Sequence, residues 1–171
     1  MRFLTPAWAR GDHSDEECEA IEAAYRVHRS ALLPSLPPAV RSFAEVANAT
    51  IHDGRLREVV LDRSALTLAL LLRCGDLQQG YFDLDIIYLG IRLQVLDVST
   101  LAALARDSRS EALYLEIDCG DGGTWIHRWL WTRDRELDIV FTGLEYSRQA
   151  RHDRGLARAE PPYKDIGAPA I

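Results

Sequence analysis

The sequence predicts an α+β fold in which an N-terminal helical hairpin packs on one twisted, mainly antiparallel β-sheet of about six or seven strands. Up to about residue 50 the apolar residues recur at steps of three and four, the period of a helix. From Leu56 onward the period is two, and turn sequences separate the segments, as in consecutive antiparallel strands. We therefore expect one domain over residues 1–146, helical to residue 50 and a β-meander from 51, followed by a tail over 147–171.

The first helix is predicted to run from Ser14 to about Leu33. Ser14 and Glu17 have the S-x-x-E spacing of a capping box, in which two side chains satisfy free backbone N–H groups at the start of a helix. The packing face of this helix is predicted to contain Cys18, Ile21, Tyr25, His28 and Leu32. The prolines of "PSLPP" at 34–38 end this helix and begin a second one, which we expect to reach about Ala47.

The remainder of the domain is predicted to contain strands and one inserted helix. Turn sequences such as "GDLQ" and "TRDR" set the limits of the strands. The strands are expected at 56–62, 66–74, 79–89, 91–97, 112–118, 124–132 and 136–142. A capped, Leu-Ala-rich segment predicts the inserted helix over about 99–106, while the order of the strands and the oligomeric state stay open.

Composition and charge exclude several classes of function. A net charge of −6 disfavours general nucleic-acid binding, which requires a basic surface, and is better suited to a basic protein partner. The cysteines at 18, 74 and 119 form no C-x-x-C pair, so we expect neither a disulfide framework nor a closed zinc site, and we assign no metal or cofactor. No secretory leader or membrane-spanning stretch is predicted, which favours a cytoplasmic location. The near-absence of lysine among the basic residues is typical of a GC-rich bacterial genome.

The segment "EIDCGDGGTWIHRWLW" at 116–131 predicts a β-hairpin with a glycine-rich turn. Alternation places Trp125, His127, Trp129 and Trp131 on one face of the second strand. We favour an aromatic cross-strand ladder covered by a helix, and the alternatives are a small-ligand groove or an acid–base site around His127. The turn lacks the EF-hand pattern and precedes no helix, which disfavours a calcium or phosphate loop.

A second candidate site is the His52-Asp53 pair, which lies between the last N-terminal helix and the first strand. Adjacent histidine and aspartate side chains can form an acid–base pair or supply two metal ligands. The alternative is a turn in which Asp53 accepts a hydrogen bond from the backbone and His52 packs over the sheet edge. The enzymatic hypothesis is a hydrolase or metal-dependent enzyme with His52, Asp53 and His127 as catalytic residues.

Three pairs of carboxylates are predicted to share strand faces. These pairs are Asp83 with Asp85, Glu116 with Asp118, and Glu136 with Asp138. If the three faces coincide, the sheet presents an acidic surface that would attract a basic partner. The alternatives are a divalent-cation site and an ordinary solvated sheet face.

An Ile-His-Asp triplet at 51–53 leads into the predicted meander, and the strand pair "IHRWLWTRDRELDIVFTGLEY" follows at 126–146. Over roughly residues 50 to 146 this arrangement resembles a loose group of small bacterial proteins, some of which are encoded beside polymorphic toxins as immunity proteins. The matching residues are His52, Asp53, His127 and the "ELDI" of 136–139. The resemblance implies a binding role and supplies no catalytic residues. Our first hypothesis is therefore a non-enzymatic, immunity-type protein-binding domain, and the hydrolase is the second.

Overall fold

The computed structural model describes residues 1–155 and 161–168, and it confirms an α+β fold with an N-terminal helical region and a largely antiparallel sheet. The helices are α1 (Pro6–Ala9), α2 (Asp15–Leu32), α3 (Pro38–Ile51) and α4 (Val98–Arg106). The strands are β1 (Gly54–Asp62), β2 (Thr67–Asp76), β3 (Gly80–Leu89), β4 (Glu111–Cys119), β5 (Trp125–Trp131), β6 (Arg135–Phe141), β7 (Gly143–Arg151) and β8 (Tyr163–Ile166). Short 3₁₀ turns occupy Leu33–Ser35 and Asp121–Gly123.

The capping box at the start of α2 is confirmed. The backbone N–H of Ser14 donates to the Glu17 carboxylate over 2.8 Å, and the N–H of Glu17 donates back to Ser14 Oγ over 3.3 Å. Helix α3 begins at Pro38, as predicted, and continues beyond the predicted end at Ala47 as far as Ile51. None of the helices in the described residues combines the length and apolar character needed to span a lipid bilayer.

The strands form one sheet in the order β6-β5-β4-β1-β2-β3-β7, with β8 lying parallel beside β1. Two meanders, β1-β2-β3 and β4-β5-β6, therefore join through β1 and β4, which differs from the single sequential meander that we predicted. Only Thr142 separates β6 from β7, although β6 pairs with β5 and β7 pairs with β3. The two ends of the strand order are thus brought together, and the sheet curves around its inner face.

The inner face of the sheet and the apolar sides of α3 and α4 bury one continuous core. Its largest fully buried side chains are Trp129, Trp131, Tyr88, Phe43 and Phe141. Burial of rings of this size supplies much of the apolar area that stabilises a domain of this length.

Helix α3 lies beside the free edge of β4. Strands β1 and β4 pair only at Gly54 with Ala112 and at Arg55 with Glu111. Farther along β4, the N–H of Leu115 donates to Asn48 Oδ1 over 2.8 Å, and the Tyr25 hydroxyl donates to the Leu115 carbonyl over 3.2 Å. Helix side chains thus satisfy strand groups that would otherwise be left unpaired at a sheet edge.

The predicted strand at 91–97 is wrong. The N–H of Ile91 donates to the Leu66 carbonyl, and the N–H of Arg92 donates to the Val140 carbonyl, so the segment crosses the end of the sheet as a turn. Ile91 and Leu96 are buried. These two buried apolar residues of the loop gave the sequence an apolar pattern like that of a strand.

The predicted tail over 147–171 contains the end of β7 and all of β8. Both segments are rich in polar residues because the second half of β7 is exposed and β8 covers only part of β1. Neither segment therefore shows the alternation that marks a half-buried strand. Residues 156–160 and 169–171 of the predicted tail lie outside the described residues.

Candidate functional site

The tryptophan face of β5 is part of the core. Trp129 and Trp131 are fully buried and stack with ring centroids 5.3 Å apart. Trp125 is half-buried and packs against the same core. The rings pack together rather than lining an open groove, so the structure gives the small-ligand hypothesis no support.

His127 is enclosed by aromatic rings from three other elements. Its ring lies 5.7 Å from that of Phe43, 5.5 Å from that of Tyr88 and 4.7 Å from that of Phe141. Complete burial lowers the pKa of His127 to about 3. The imidazole is therefore neutral near pH 7 and has no contact with solvent through which a substrate could reach it.

A chain of hydrogen bonds connects this imidazole to two other buried side chains. The Trp129 indole N–H donates to the Tyr88 hydroxyl oxygen over 3.0 Å, and that hydroxyl lies 3.0 Å from His127 Nδ1. The tyrosine hydroxyl can both donate and accept, so which of the two atoms donates in the second hydrogen bond depends on the tautomer of His127. Within the described residues Nε2 has no partner, and the adjoining cavity of about 10 Å³ has room for no more than one water molecule.

His52 and Asp53 occupy the turn between α3 and β1. Their side chains are about half exposed, and Asp53 Oδ2 lies 3.2 Å from His52 Nδ1. Asp53 has a φ of 60°, a left-handed conformation that aspartate tolerates better than most residues, and its N–H donates to the Ala112 carbonyl. The backbone of this turn is thereby fixed to β4, and the turn presents both side chains on the surface.

A surface pocket of about 220 Å³ adjoins this pair. Its other lining residues are Ala49, Thr50, Gly75, Asp76, Gln79 and Phe82. With Nδ1 directed at Asp53, His52 Nε2 is left as the atom that could accept a proton from a bound water molecule. His127 does not line this pocket, so the structure does not bring together the three residues of the enzymatic hypothesis. Across residues 1–155 and 161–168, no group of three or more His, Cys, Asp or Glu side chains is arranged to hold a metal ion.

The carboxylates of β4 and β6 bind the N-terminal segment of the chain. Glu116, which is fully buried, accepts the backbone N–H groups of residues 2, 3 and 4 over 2.5 to 2.7 Å. Glu136 forms an ion pair with the amino group of Met1. Burial by itself would raise the pKa of Asp118, but the hydrogen bonds from Arg128 over 2.9 Å and from the Cys119 N–H, together with the charge of Arg128, lower that pKa below its usual value. Glu116, Asp118 and Glu136 are therefore engaged within the molecule. Asp138 is half exposed, lies 3.6 Å from Arg128 Nε, and has a pKa raised by partial burial.

Asp83 on β3 is neutralised by arginines from three neighbouring strands. Its carboxylate lies 2.6 Å from Arg73 Nε, 2.6 Å from Arg151 Nε and 3.3 Å from Arg57 Nη1. Burial by itself would raise the pKa of Asp83, but the hydrogen bonds from Arg73 and Arg151 lower it below its usual value. This cluster could not be predicted from the sequence, because the pairing of Arg73 with Asp83 depends on the register between β2 and β3.

Asp85, two residues farther along the same face, has a different environment. No cation among the described residues lies within ion-pair distance of its carboxylate. Partial burial raises the pKa of Asp85, and the charge of Glu58 on β1 raises it further. Among residues 1–155 and 161–168, Asp83 therefore has arginine partners and Asp85 has none.

Because His127 is buried in its neutral form, we expect the free energy of unfolding to decrease as the pH decreases. Because its folded-state pKa of about 3 lies below the ordinary value of 6.5, the unfolded chain binds a proton between these values that the folded chain does not. This contribution to stability is complete above pH 6.5 and is lost as the pH falls toward 3. Between pH 7 and pH 5 we expect His127 to reduce the free energy of unfolding by about 2 kcal/mol.

Urea denaturation of the wild type, His127→Gln and His13→Gln at these two pH values measures this loss. Glutamine keeps an acceptor for the Tyr88 hydroxyl but does not titrate. Between pH 7 and pH 5, the free energy of unfolding of His127→Gln should therefore decrease by about 2 kcal/mol less than that of the wild type. His13, which is partly exposed, serves as the control and should behave as the wild type does. An unchanged pH dependence in His127→Gln would show that the imidazole is not buried in its neutral form.

Comparisons of the chain with protein-family models, with curated proteins and with solved structures gave no match. Any assignment of function therefore depends on the residues and geometry described above.

Proposed function

We propose that this protein is a non-enzymatic binding domain that docks a basic protein on the outer face of β1, β2, β3 and β7. The docking surface, called here the outer patch, consists of two cross-strand rows that project away from the core. The rows are Glu58, Leu71, Asp85 and Ser147, and Val60, Ala69, Ile87 and Glu145.

The centre of the outer patch is apolar and partly exposed. Val60, Ala69, Leu71 and Ile87 are all half-buried, whereas their neighbours along the strands are in the core. Helices α3 and α4 pack on the opposite, inner face of the sheet. A contiguous apolar strip on a sheet face without a helix over it is typical of a surface that binds another protein.

The charge of the outer patch selects the kind of partner. Glu58, Asp85 and Glu145 surround the apolar strip, and Lys164, which forms an ion pair with Glu58, is the one cation that contacts these carboxylates among the described residues. The observation that carries the proposal is the Asp85 carboxylate, which has no cation within ion-pair distance among the described residues and has a raised pKa. A lysine or arginine from a partner would supply the missing counter-charge and favour the ionised form of Asp85.

An immunity-type role is the most concrete form of this proposal. The resemblance described above includes immunity proteins encoded beside toxins, and a toxin that acts on nucleic acid carries the basic surface that an acidic patch would bind. A cytoplasmic location belongs to the same proposal.

Site-specific photo-crosslinking tests the proposed docking surface in cells of the organism that encodes the chain. p-Benzoylphenylalanine is introduced at Leu71 or Ile87 in the outer patch, and at Val27, an exposed residue of α2, as the control. We expect an adduct with a basic protein from the two patch positions only. Asp85→Lys should reduce its yield by about tenfold, because like charges across an interface are strongly unfavourable. Glu19→Lys, on the exposed side of α2, should leave the yield unchanged.

The proposal fails if positions 71 and 87 give no adduct, if position 27 gives the same adduct, or if the captured protein is acidic. For the immunity form, expression of the captured protein alone should arrest growth. Co-expression of the wild type should restore growth, and co-expression of Asp85→Lys should not.

A second candidate function is hydrolysis by His52 and Asp53 without His127. The observation that favours it is the 3.2 Å contact between the two side chains beside a pocket of about 220 Å³. In this reading Asp53 orients the imidazole, and His52 Nε2 takes a proton from an attacking water molecule. This assignment is separate from the outer patch.

Turnover of p-nitrophenyl acetate and p-nitrophenyl phosphate tests the second candidate. Loss of a general base typically lowers the rate by about 100-fold or more, so His52→Ala should lose nearly all activity and His13→Ala should keep it. Absence of turnover by the wild type, or equal turnover by the two variants, would exclude this function for both ester classes.

A further inference from the structure

An arginine-lined cleft lies near the end of the outer sheet face, where β1 and β2 approach the loop that follows α4. Its volume is about 190 Å³, and its lining residues are Arg55, Leu56, Arg57, Arg73, Ser108, Arg109 and Gly155. Four guanidinium groups thus meet at one cleft on a chain whose net charge is −6. Neither the binding surface nor the His52 pocket proposed above uses these residues.

The carboxylates around the cleft do not balance its guanidinium groups. Within the described residues, Glu111 is shared by Arg55 and Arg154 at 2.6 and 3.6 Å. Asp83 is shared by Arg73 and Arg151 at 2.6 Å each, and Asp153 lies 3.6 Å from Arg73.

Among the described residues, Arg55, Arg73, Arg151 and Arg154 thus share three carboxylates, and Arg57 also reaches Asp83. Because Arg73 is almost fully buried, its charge is poorly screened by water, and an additional anion would be favourable here.

Two polar groups at the mouth of the cleft have no partner among the described residues. The backbone of Arg109 is fixed, since its N–H donates to Asp107 and its carbonyl accepts from Thr132, but its guanidinium forms no ion pair there. The neighbouring Ser108 hydroxyl likewise forms no hydrogen bond. A guanidinium and a hydroxyl on a fixed backbone are suitable donors for a bound oxygen anion.

We propose that this cleft binds an oxyanion, the carboxylate or phosphate group of a small molecule. Planar guanidinium groups match both oxyanions in geometry, and Arg109 and Ser108 supply donors that no described residue engages. The volume suits a single anionic group with a small substituent. The proposal does not depend on docking at the outer patch or on hydrolysis by His52.

Isothermal titration calorimetry with inorganic phosphate, and separately with acetate, tests the cleft at constant ionic strength in a buffer free of both anions. Arg109→Ala removes an exposed guanidinium that forms no ion pair with the described residues, so it should leave folding intact. Arg26→Ala, which removes an exposed arginine of α2, is the matched control. We expect saturable binding at one site in the wild type and in Arg26→Ala, and binding weaker by about tenfold in Arg109→Ala.

The two anions distinguish the possible sources of the ligand. Binding of phosphate alone assigns the cleft to phosphate groups, binding of acetate alone assigns it to carboxylates, and competition between the two assigns it to both. Absence of saturable binding by either anion would overturn the proposal. Equal affinity in Arg109→Ala and the wild type would also overturn it, because binding would then occur elsewhere.

Discussion

Helix α3 occupies the place beside β4 that a strand would fill in a regular sheet, and the rest of the structure depends on this substitution. Strands β1 and β4 pair at only two positions before they separate, so the sheet stays closed only if another element satisfies the edge of β4. Asn48 and Tyr25 do so at Leu115. With α3 in this position, the aromatic face of β5 becomes interior, and His127 becomes a neutral core residue.

The closed core determines which residues remain for chemistry or binding. His127, Tyr88 and Trp129 form a hydrogen-bonded chain that stabilises the interior and has no access to substrate. On the outer side, the N-terminal segment engages Glu116, and arginines engage Asp83. In the described part of the chain, three features remain available for chemistry or binding: the outer patch with Asp85, the His52-Asp53 pocket and the arginine-lined cleft.

Local signals in the sequence predicted the local parts of this structure. The Ser14-Glu17 capping box, the prolines before α3 and the glycine-rich turn after Cys119 each specify a conformation within a few residues. These signals, together with the change in the period of the apolar residues at residue 56, were sufficient to predict the α+β class and most of the strands.

Long-range register, in contrast, could not be predicted from the sequence. The pairing of β1 with β4 and of β8 with β1 joins segments that no local pattern relates. The same limit applies to the candidate sites. Asp83 and Asp85 look equivalent in "DLD". The register places three arginines around Asp83 and, in the described part of the chain, none around Asp85. His127 looked accessible because one strand shows which face a residue occupies, and not what covers that face.

The central claim is that the two carboxylates of β3 have opposite roles, one neutralised within the fold and one left for a partner. Titration of the Asp83 and Asp85 side-chain carboxyl carbons by ¹³C NMR tests this claim most directly. The account predicts a pKa for Asp83 below the ordinary aspartate value of 3.8 and a pKa for Asp85 above it. Equal pKa values for the two carboxyls, or a lowered pKa for Asp85, would contradict it, because Asp85 would then already have a counter-charge within the molecule.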